Sequence, residues 1–289
     1  MDLTITDVRA HPGDSAFLLD DGQTAVLYDT GFGFTGFAVA DNIKKALDGR
    51  RLDYILLTHS HYDHALGTPY ILSRFPEAKV VAGEYAVKIF GKESARNLMR
   101  QLDQQFAARC GVQNYPDLAD QLSVDIPVAD GDVIRAGTMT FTAVALPGHT
   151  KCSIGYWLPD KKLLLSCETL GVYDGGRLIV PSCLVGYGLT LDSIEKARAL
   201  APKQLLLPHC GLLDEEKTAY YLANCRRAAE DTARAITDIL RRGGSHEQAI
   251  AWFRETFYRE GIPPIYPEDA MLLNTSIMVR LLEKELLCS

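Results

Sequence analysis

The stretch Thr58-His-Ser-His-Tyr-Asp-His-Ala-Leu-Gly67 decides how this chain is interpreted. It holds four side chains of metal-ligand type within six residues and follows an apolar run typical of a buried strand. Alternate side chains of an extended segment point the same way, so His59 and His61 can face one point. Asp63 and His64 lie where the chain is expected to turn into a helix and can face a second point nearby. Imidazoles with a carboxylate suit Zn²⁺, and also Fe²⁺ or Mn²⁺.

Three more side chains of ligand type occur in the same kind of place, just past an apolar run. Strand-like runs end before His149, before Glu168 and before His209. Five of the seven histidines of the chain belong to this set. Because sites are often built on loops at strand ends, we expect these separate segments to fold back around shared cations.

The pattern around these segments predicts a layered α/β domain followed by helices. Short strands alternate with helices through residues 1–212, with a helical insertion at about 84–120. Residues 213–289 form a helical extension, in which apolar side chains recur at steps of three and four. Ser245 and Gln248 have the spacing of a helix capping box. The apolar stripes of this extension indicate core packing or a homodimer contact.

Composition narrows the classes of partner. The net charge is −7 and no run of Lys or Arg stands out, which argues against a nucleic-acid partner held by phosphate contacts. The first ten residues lack the basic-then-apolar pattern of a secretion signal. No apolar run approaches the ~20 residues that span a membrane. We therefore expect a cytoplasmic protein that acts on a small molecule without a membrane partner. The seven irregularly spaced cysteines favour reduced thiols.

The segment from His59 to His64 resembles the His-x-His-x-Asp-His signature of the metallo-β-lactamase superfamily. His149, Glu168 and His209 follow in that family's order and approximate spacing, and Asp29-Thr-Gly31 resembles its upstream Asp-x-Gly turn. The resemblance spans about residues 4–211. It implies an αββα sandwich with the metals at one edge, here with C-terminal helices.

The resemblance also implies how the ligands are shared. His59, His61 and His149 would hold one divalent ion, and Asp63, His64 and His209 would hold the other. We expect two zinc ions, with iron or manganese as alternatives. The family usually has an aspartate between the two metals, whereas this chain has Glu168. Asp29 is the expected hydrogen-bond partner of a ligand imidazole, although it also fits a plain structural turn.

The activity implied is metal-dependent hydrolysis of a small ester, thioester, lactone or phosphodiester by a metal-bound hydroxide, with Asp63 orienting the nucleophile and accepting its proton. Two alternatives stay open: an iron-dependent oxidoreductase of the persulfide dioxygenase type, and a metal-bound regulator without catalysis. Tyr62, Phe34 and Tyr187 are candidates for the substrate pocket, although an exposed loop position explains Tyr62 equally well and packing explains the other two.

Overall fold

The computed structural model describes residues 3–288, which divide into two compact units. The first unit comprises residues 3–145 and 154–161, and the second comprises residues 146–153 and 162–288. The boundary that the sequence predicts after residue 212 stays a prediction. Among the described residues, no helix is long and apolar enough to cross a membrane.

The first unit contains a six-stranded sheet whose strands lie in chain order. Strands β1, β2 and β3 are antiparallel, and β3 to β6 are parallel, so the carboxyl ends of β3, β4 and β5 meet at one edge. The strands are β1 Thr4–Asp7, β2 Phe17–Asp20, β3 Ala25–Tyr28, β4 Tyr54–Leu56, β5 Lys79–Gly83 and β6 Ile126–Val128.

Three antiparallel strands in the same unit face this sheet: β7 Val133–Ala136, β8 Met139–Ala145 and β9 Ile154–Leu158. The hydroxyl of Tyr156 on β9 donates to the carbonyl oxygen of Leu57 at 2.8 Å. The backbone N–H of Ile154 donates to the carbonyl oxygen of Thr58 at 2.9 Å. These contacts place β9 beside the carboxyl end of β4, where the histidine-rich segment begins.

The helices of the first unit follow the strands of the six-stranded sheet. The short helix α2 begins at Tyr62, directly after His61, as the sequence predicts. Two helices occupy the predicted insertion at about 84–120 and contact each other. The helices are α1 Gly36–Leu47, α2 Tyr62–Ala65, α3 Thr68–Leu72, α4 Glu84–Phe90 and α5 Glu93–Arg109, with 3₁₀ turns at Ala119–Gln121 and Pro159–Lys161.

The second unit combines a small sheet, a hairpin and four helices. Strand β10 pairs in parallel with β13, which pairs antiparallel with β14, and β11 with β12 forms the hairpin. The strands are β10 Leu163–Leu165, β11 Val172–Tyr173, β12 Ile179–Val180, β13 Gln204–Leu207 and β14 Gly211–Leu213. The helices are α6 Tyr187–Ala199, α7 Glu215–Arg241, α8 His246–Phe257 and α9 Glu268–Leu286, with a 3₁₀ turn at Glu168–Leu170.

The three C-terminal helices build their own apolar core, in which Ile236, Phe253 and Met278 are buried. The capping box predicted at Ser245 and Gln248 is present and starts α8. Helix α7 also fixes the loop after the Glu168–Leu170 turn, because the buried Tyr221 hydroxyl donates to the Gly171 carbonyl oxygen at 2.6 Å. The helical extension is therefore packed against the segment that carries Glu168.

Candidate metal centre

The carboxyl ends of β3 and β4 bring Asp29 beside the histidine-rich segment. Asp29 follows β3 in the left-handed region (φ 54°) and is fully buried. One carboxylate oxygen accepts from the backbone N–H of Thr58 at 2.8 Å. The other lies 2.8 Å from Nδ1 of His64 and accepts from the Ser15 hydroxyl at 2.8 Å and the Thr58 hydroxyl at 3.0 Å. Asp29 thus fixes both the start of the segment and the ring of His64.

These contacts determine which nitrogen of each imidazole carries the hydrogen. A carboxylate only accepts, so Nδ1 of His64 is the donor to Asp29. The single O–H of Thr58 donates to Asp29, and its oxygen therefore accepts from Nδ1 of His59, which lies 3.0 Å away. Nε2 is then the atom of each ring that can donate a lone pair to a metal ion. This is the arrangement by which proteins orient ligand histidines.

The four candidate ligands of the first unit lie close together. The ring centroid of His59 is 4.6 Å from that of His61 and 4.0 Å from that of His64. Oδ2 of Asp63 lies 3.6 Å from Nε2 of His64. His59, Asp63 and His64 are buried, whereas His61 is half-buried. The first unit therefore brings four side chains of metal-ligand type together.

The second unit brings a further group of candidate ligands together, centred on Glu168. Strands β10 and β13 are parallel, so the segments that follow them bring Glu168 and His209 to one edge. Oε2 of Glu168 lies 2.8 Å from Nε2 of His149, and its Oε1 lies 3.3 Å from Nε2 of His209. All three residues are buried, with His149 at 1% exposure, His209 at 3% and Glu168 at 4%. One carboxylate thus touches two imidazoles with two different oxygens.

The environment of His149 fits a cation between its Nε2 atom and Glu168. Nδ1 of His149 lies 2.9 Å from the hydroxyl oxygen and 3.3 Å from the carbonyl oxygen of Ser182. A carbonyl oxygen only accepts, so Nδ1 carries the hydrogen and Nε2 presents its lone pair to Glu168. Two electron-rich atoms 2.8 Å apart need a proton or a metal ion between them. Carboxylate and imidazole are also the ligands that zinc and iron accept.

Backbone geometry explains how the two loops reach the site. Gly148 has φ 151°, and a Cβ there would lie 2.5 Å from the Thr190 hydroxyl oxygen and 2.7 Å from Thr169. Thr169 in turn accepts from the backbone N–H of His149 at 3.2 Å. His209 has φ 61°. A glycine and a strained histidine backbone thus direct the two imidazoles onto Glu168.

The structure places the candidate pocket residues in two surroundings. Phe34 and Tyr62 belong to one aromatic cluster, because the ring of Phe32 lies 5.2 Å from Phe34 and 5.5 Å from Tyr62. Phe106 of α5 also packs on Phe34, at 5.9 Å. Tyr187 begins α6, and its backbone N–H donates to a Glu285 carboxylate oxygen at 2.9 Å. Phe34, Tyr62 and Tyr187 stay predictions as substrate contacts.

Several supporting residues were not predicted from the sequence. Thr58, Ser15 and Ser182 hold the ligand rings or Asp29, and only Thr58 adjoins a recognisable motif. Asp103 of α5 was also missed: it is 1% exposed and accepts from the Gly33 N–H at 2.9 Å and the Tyr115 hydroxyl at 2.5 Å. Asp103 therefore fastens the predicted insertion to the loop that follows Asp29.

Burial raises the pKa of Asp103 from 3.8 to about 7, and the charge of Asp14 adds to the rise. A raised pKa in the folded state means that Asp103 favours folding below pH 3.8 and that this contribution is lost as the pH rises through about 7. Between pH 5 and pH 8 the wild type should therefore lose about 2–3 kcal/mol of unfolding free energy. Asp103→Asn keeps an oxygen acceptor but cannot ionise, so it should not show this loss.

Urea unfolding of both proteins at the two pH values measures this difference. Asp117→Asn is the matched control, since Asp117 lies exposed on the same segment and pairs with Arg100. A relative stability of the Asp103→Asn variant that did not change with pH would contradict the buried, ionising carboxyl.

Comparison with known proteins gives a family and a fold. The family model described as "Metallo-beta-lactamase superfamily" matches residues 13–209. The chain is 27% identical over 198 residues to a hydroxyacylglutathione hydrolase of Nitrobacter winogradskyi, covering 67% of this chain and 63% of that protein. It is 28% identical over 192 residues to a hydroxyacylglutathione hydrolase of Stenotrophomonas maltophilia, covering 66% and 57%. The chain thus spans less than two thirds of the length of these relatives.

Solved structures agree on the fold. A metallo-beta-lactamase family protein from Thermus thermophilus superposes with a TM-score of 0.65 at 16% identity, covering 98% of this chain and 93% of that one. An archaeal superfamily protein from Sulfolobus tokodaii gives 0.60 at 18% identity, covering 99% and 100%. The predicted αββα sandwich with C-terminal helices is confirmed, and the match over residues 13–209 shows that the chain belongs to the metallo-beta-lactamase superfamily.

Proposed function

We propose that the candidate ligands of the two units together form one dinuclear centre. His59, His61, His149 and Glu168 would hold one ion, and Asp63, His64 and His209 would hold the other. The support is that each unit gathers its own candidate ligands: His59 lies beside His61 and His64 in the first unit, and Glu168 contacts His149 and His209 in the second. The first unit offers four candidate ligands and the second offers three, so two zinc ions with three or four protein ligands each would need both sets. Glu168, whose two oxygens lie against His149 and His209, would serve both ions in this proposal.

From this centre we infer a metal-dependent hydrolase that acts on a small ester, thioester, lactone or phosphodiester. The observation that carries the inference is Glu168, a buried carboxylate held against two imidazoles whose other nitrogens point away from it. Among the substrate classes a thioester is favoured, because the relatives in the comparison are named for the hydrolysis of hydroxyacylglutathione. Zinc is the metal we propose.

The chemistry divides between the ions and the chain. When bound, divalent ions lower the pKa of a coordinated water and polarise a carbonyl or phosphoryl oxygen. The protein keeps His59 and His64 in the tautomer that offers Nε2, through Thr58 and Asp29. Asp63 lies in the first turn of α2 at 9% exposure, where its carboxylate can orient the attacking water and accept its proton.

We place Phe34 and Tyr62 along the substrate, because their aromatic cluster continues directly from the motif. Tyr187 is the candidate from the second unit. A cytoplasmic location, a small-molecule substrate and a homodimer built on the helical extension remain part of the proposal.

The test combines metal analysis with a substrate panel. Protein purified without added metal is analysed for zinc, iron and manganese, and the protein loaded with the metal found is assayed on a hydroxyacylglutathione thioester, a lactone, an aryl ester and a phosphodiester. We expect about two ions per chain and hydrolysis of at least one substrate. Asp63→Asn should lower kcat by roughly 10²–10⁴-fold, as for loss of a general base.

Asp192→Asn is the matched control, since Asp192 is exposed on α6, and it should retain wild-type kcat. Hydrolysis that survives complete removal of metal would contradict the proposal. So would oxygen consumption with a persulfide substrate in place of hydrolysis.

A further inference from the structure

A cleft in the second unit lies between the turn of the β11–β12 hairpin and one side of helices α7 and α8. Its volume is about 290 Å³. Ile179, Trp252 and Phe257 give it an apolar floor, while Arg177 and Arg227 stand at its rim. None of the residues that line it is a candidate metal ligand, so the cleft is distinct from the metal centre.

The rim of the cleft is held in place by hydrogen bonds. One carboxylate oxygen of Asp174 accepts from the backbone N–H groups of Gly176 at 2.8 Å and Leu178 at 3.0 Å. The Tyr173 hydroxyl donates to the Gly176 carbonyl oxygen at 2.5 Å, and the Tyr220 hydroxyl of α7 donates to that of Arg177 at 3.2 Å. The turn that carries Arg177 is therefore fixed to α7, and the cleft has a defined width.

Positive charge exceeds negative charge at this rim. Asp231 is the single acidic residue among those that line the cleft. It lies 3.5 Å from Arg227 and 3.2 Å from Arg234, so one carboxylate is shared by two guanidinium groups. Arg177 makes no ion pair with any residue in the described range 3–288, and the Asp174 carboxylate of the same turn accepts from the N–H groups of Gly176 and Leu178. In a chain of net charge −7, this leaves a local excess of cationic donors above an aromatic floor.

We propose that this cleft binds a small organic anion with an apolar body, of the aromatic carboxylate class. The guanidinium of Arg177 can bind a carboxylate through two parallel hydrogen bonds, which a lysine could not form. The ring of such a ligand would pack against Trp252 in the offset or edge-on geometry that aromatic pairs prefer. The volume lies at the lower end of the range for ligand sites, which suits a single-ring molecule.

The test uses tryptophan fluorescence in the full-length, metal-loaded protein. The chain has two tryptophans, so Trp157→Phe leaves Trp252 in the cleft as the single emitter. Titration of this variant with benzoate should give a saturable change in emission, and neutral benzamide should bind roughly tenfold more weakly or not at all, as for loss of a charge-assisted contact.

Adding Arg177→Ala should weaken benzoate binding by about tenfold or more. Arg242→Ala is the matched control, because Arg242 is an exposed arginine at the end of α7 outside the cleft, and it should leave binding unchanged. A signal that does not saturate, equal binding of benzamide, or full benzoate binding after Arg177→Ala would each overturn the proposal. Full benzoate binding after Arg177→Ala is also the result expected if benzoate binds at the metal centre instead. The readout does not use hydrolysis, so it stands apart from the proposed activity.

Discussion

Replacing Glu168 with glutamine is expected to reduce the metal content from about two ions per chain to one or fewer and to abolish most of the hydrolysis. The variant keeps the size of the side chain but removes the charge that faces His149 at 2.8 Å and His209 at 3.3 Å. The new amide would donate a hydrogen bond to an Nε2 atom and occupy the lone pair that a metal needs. Because hydrogen-bond partners of ligands already contribute 10–100-fold to metal affinity, loss of this carboxylate should cost at least roughly 100-fold.

Elemental analysis and competition with a chromogenic chelator measure this effect. Glu168→Asp retains the charge and restores the residue type usual in the family, so it should keep more of the metal than Glu168→Gln. Glu195→Gln is the neutral control, since Glu195 is exposed on α6 and pairs with Arg198. Two tightly held ions in Glu168→Gln would show that Glu168 is not a ligand.

Asp29→Asn should weaken both metal binding and folding. Asp29 accepts hydrogen bonds from Ser15, Thr58 and His64 in a fully buried position. An amide nitrogen in place of the Oδ2 atom would meet the Nδ1 hydrogen of His64, which drives that ring toward the tautomer with its hydrogen on Nε2. We expect metal affinity to fall roughly 10–100-fold and the unfolding free energy of the metal-free protein to fall by about 1–3 kcal/mol.

The two effects are separated by measuring metal affinity by chelator competition and unfolding by urea after metal removal. Asp125→Asn is the control, because Asp125 is partly exposed and contacts Lys79 and the Val80 N–H. If Asp29→Asn lost stability but bound metal as wild type does, Asp29 would be a structural turn residue alone, the other interpretation of its motif.

The sequence was sufficient for the family and the fold class because the relevant signals are local. The segment from His59 to His64 carries its ligand types within one loop, and the apolar runs before His149, Glu168 and His209 mark strand ends. The predicted short helix after His61 and the helical extension are likewise patterns within a few turns of chain. The ligand assignment itself stays a prediction that the two variants above test.

What the sequence did not predict depends on contacts across long separations or on weak local patterns. Ser182 and Asp103 act on residues 33 and 70 positions away, so no spacing rule points to them. Strand β1 has no clear pattern in the sequence, because its residues are polar or half-exposed. Helix α6 begins at Tyr187, but its helical pattern is clear only from Leu191, since Gly188 in the first turn is a poor helix former.

The left-handed backbone of His209 has a consequence for how this protein would respond to engineering. A side chain other than glycine raises the energy of that conformation by about 1–2 kcal/mol. Mutation of His209 to glycine would relieve this strain, but it would also delete a proposed metal ligand. A selection for heat resistance that measures folding alone would thus enrich variants that lack this side chain. Such a screen therefore has to measure metal retention as well as melting temperature.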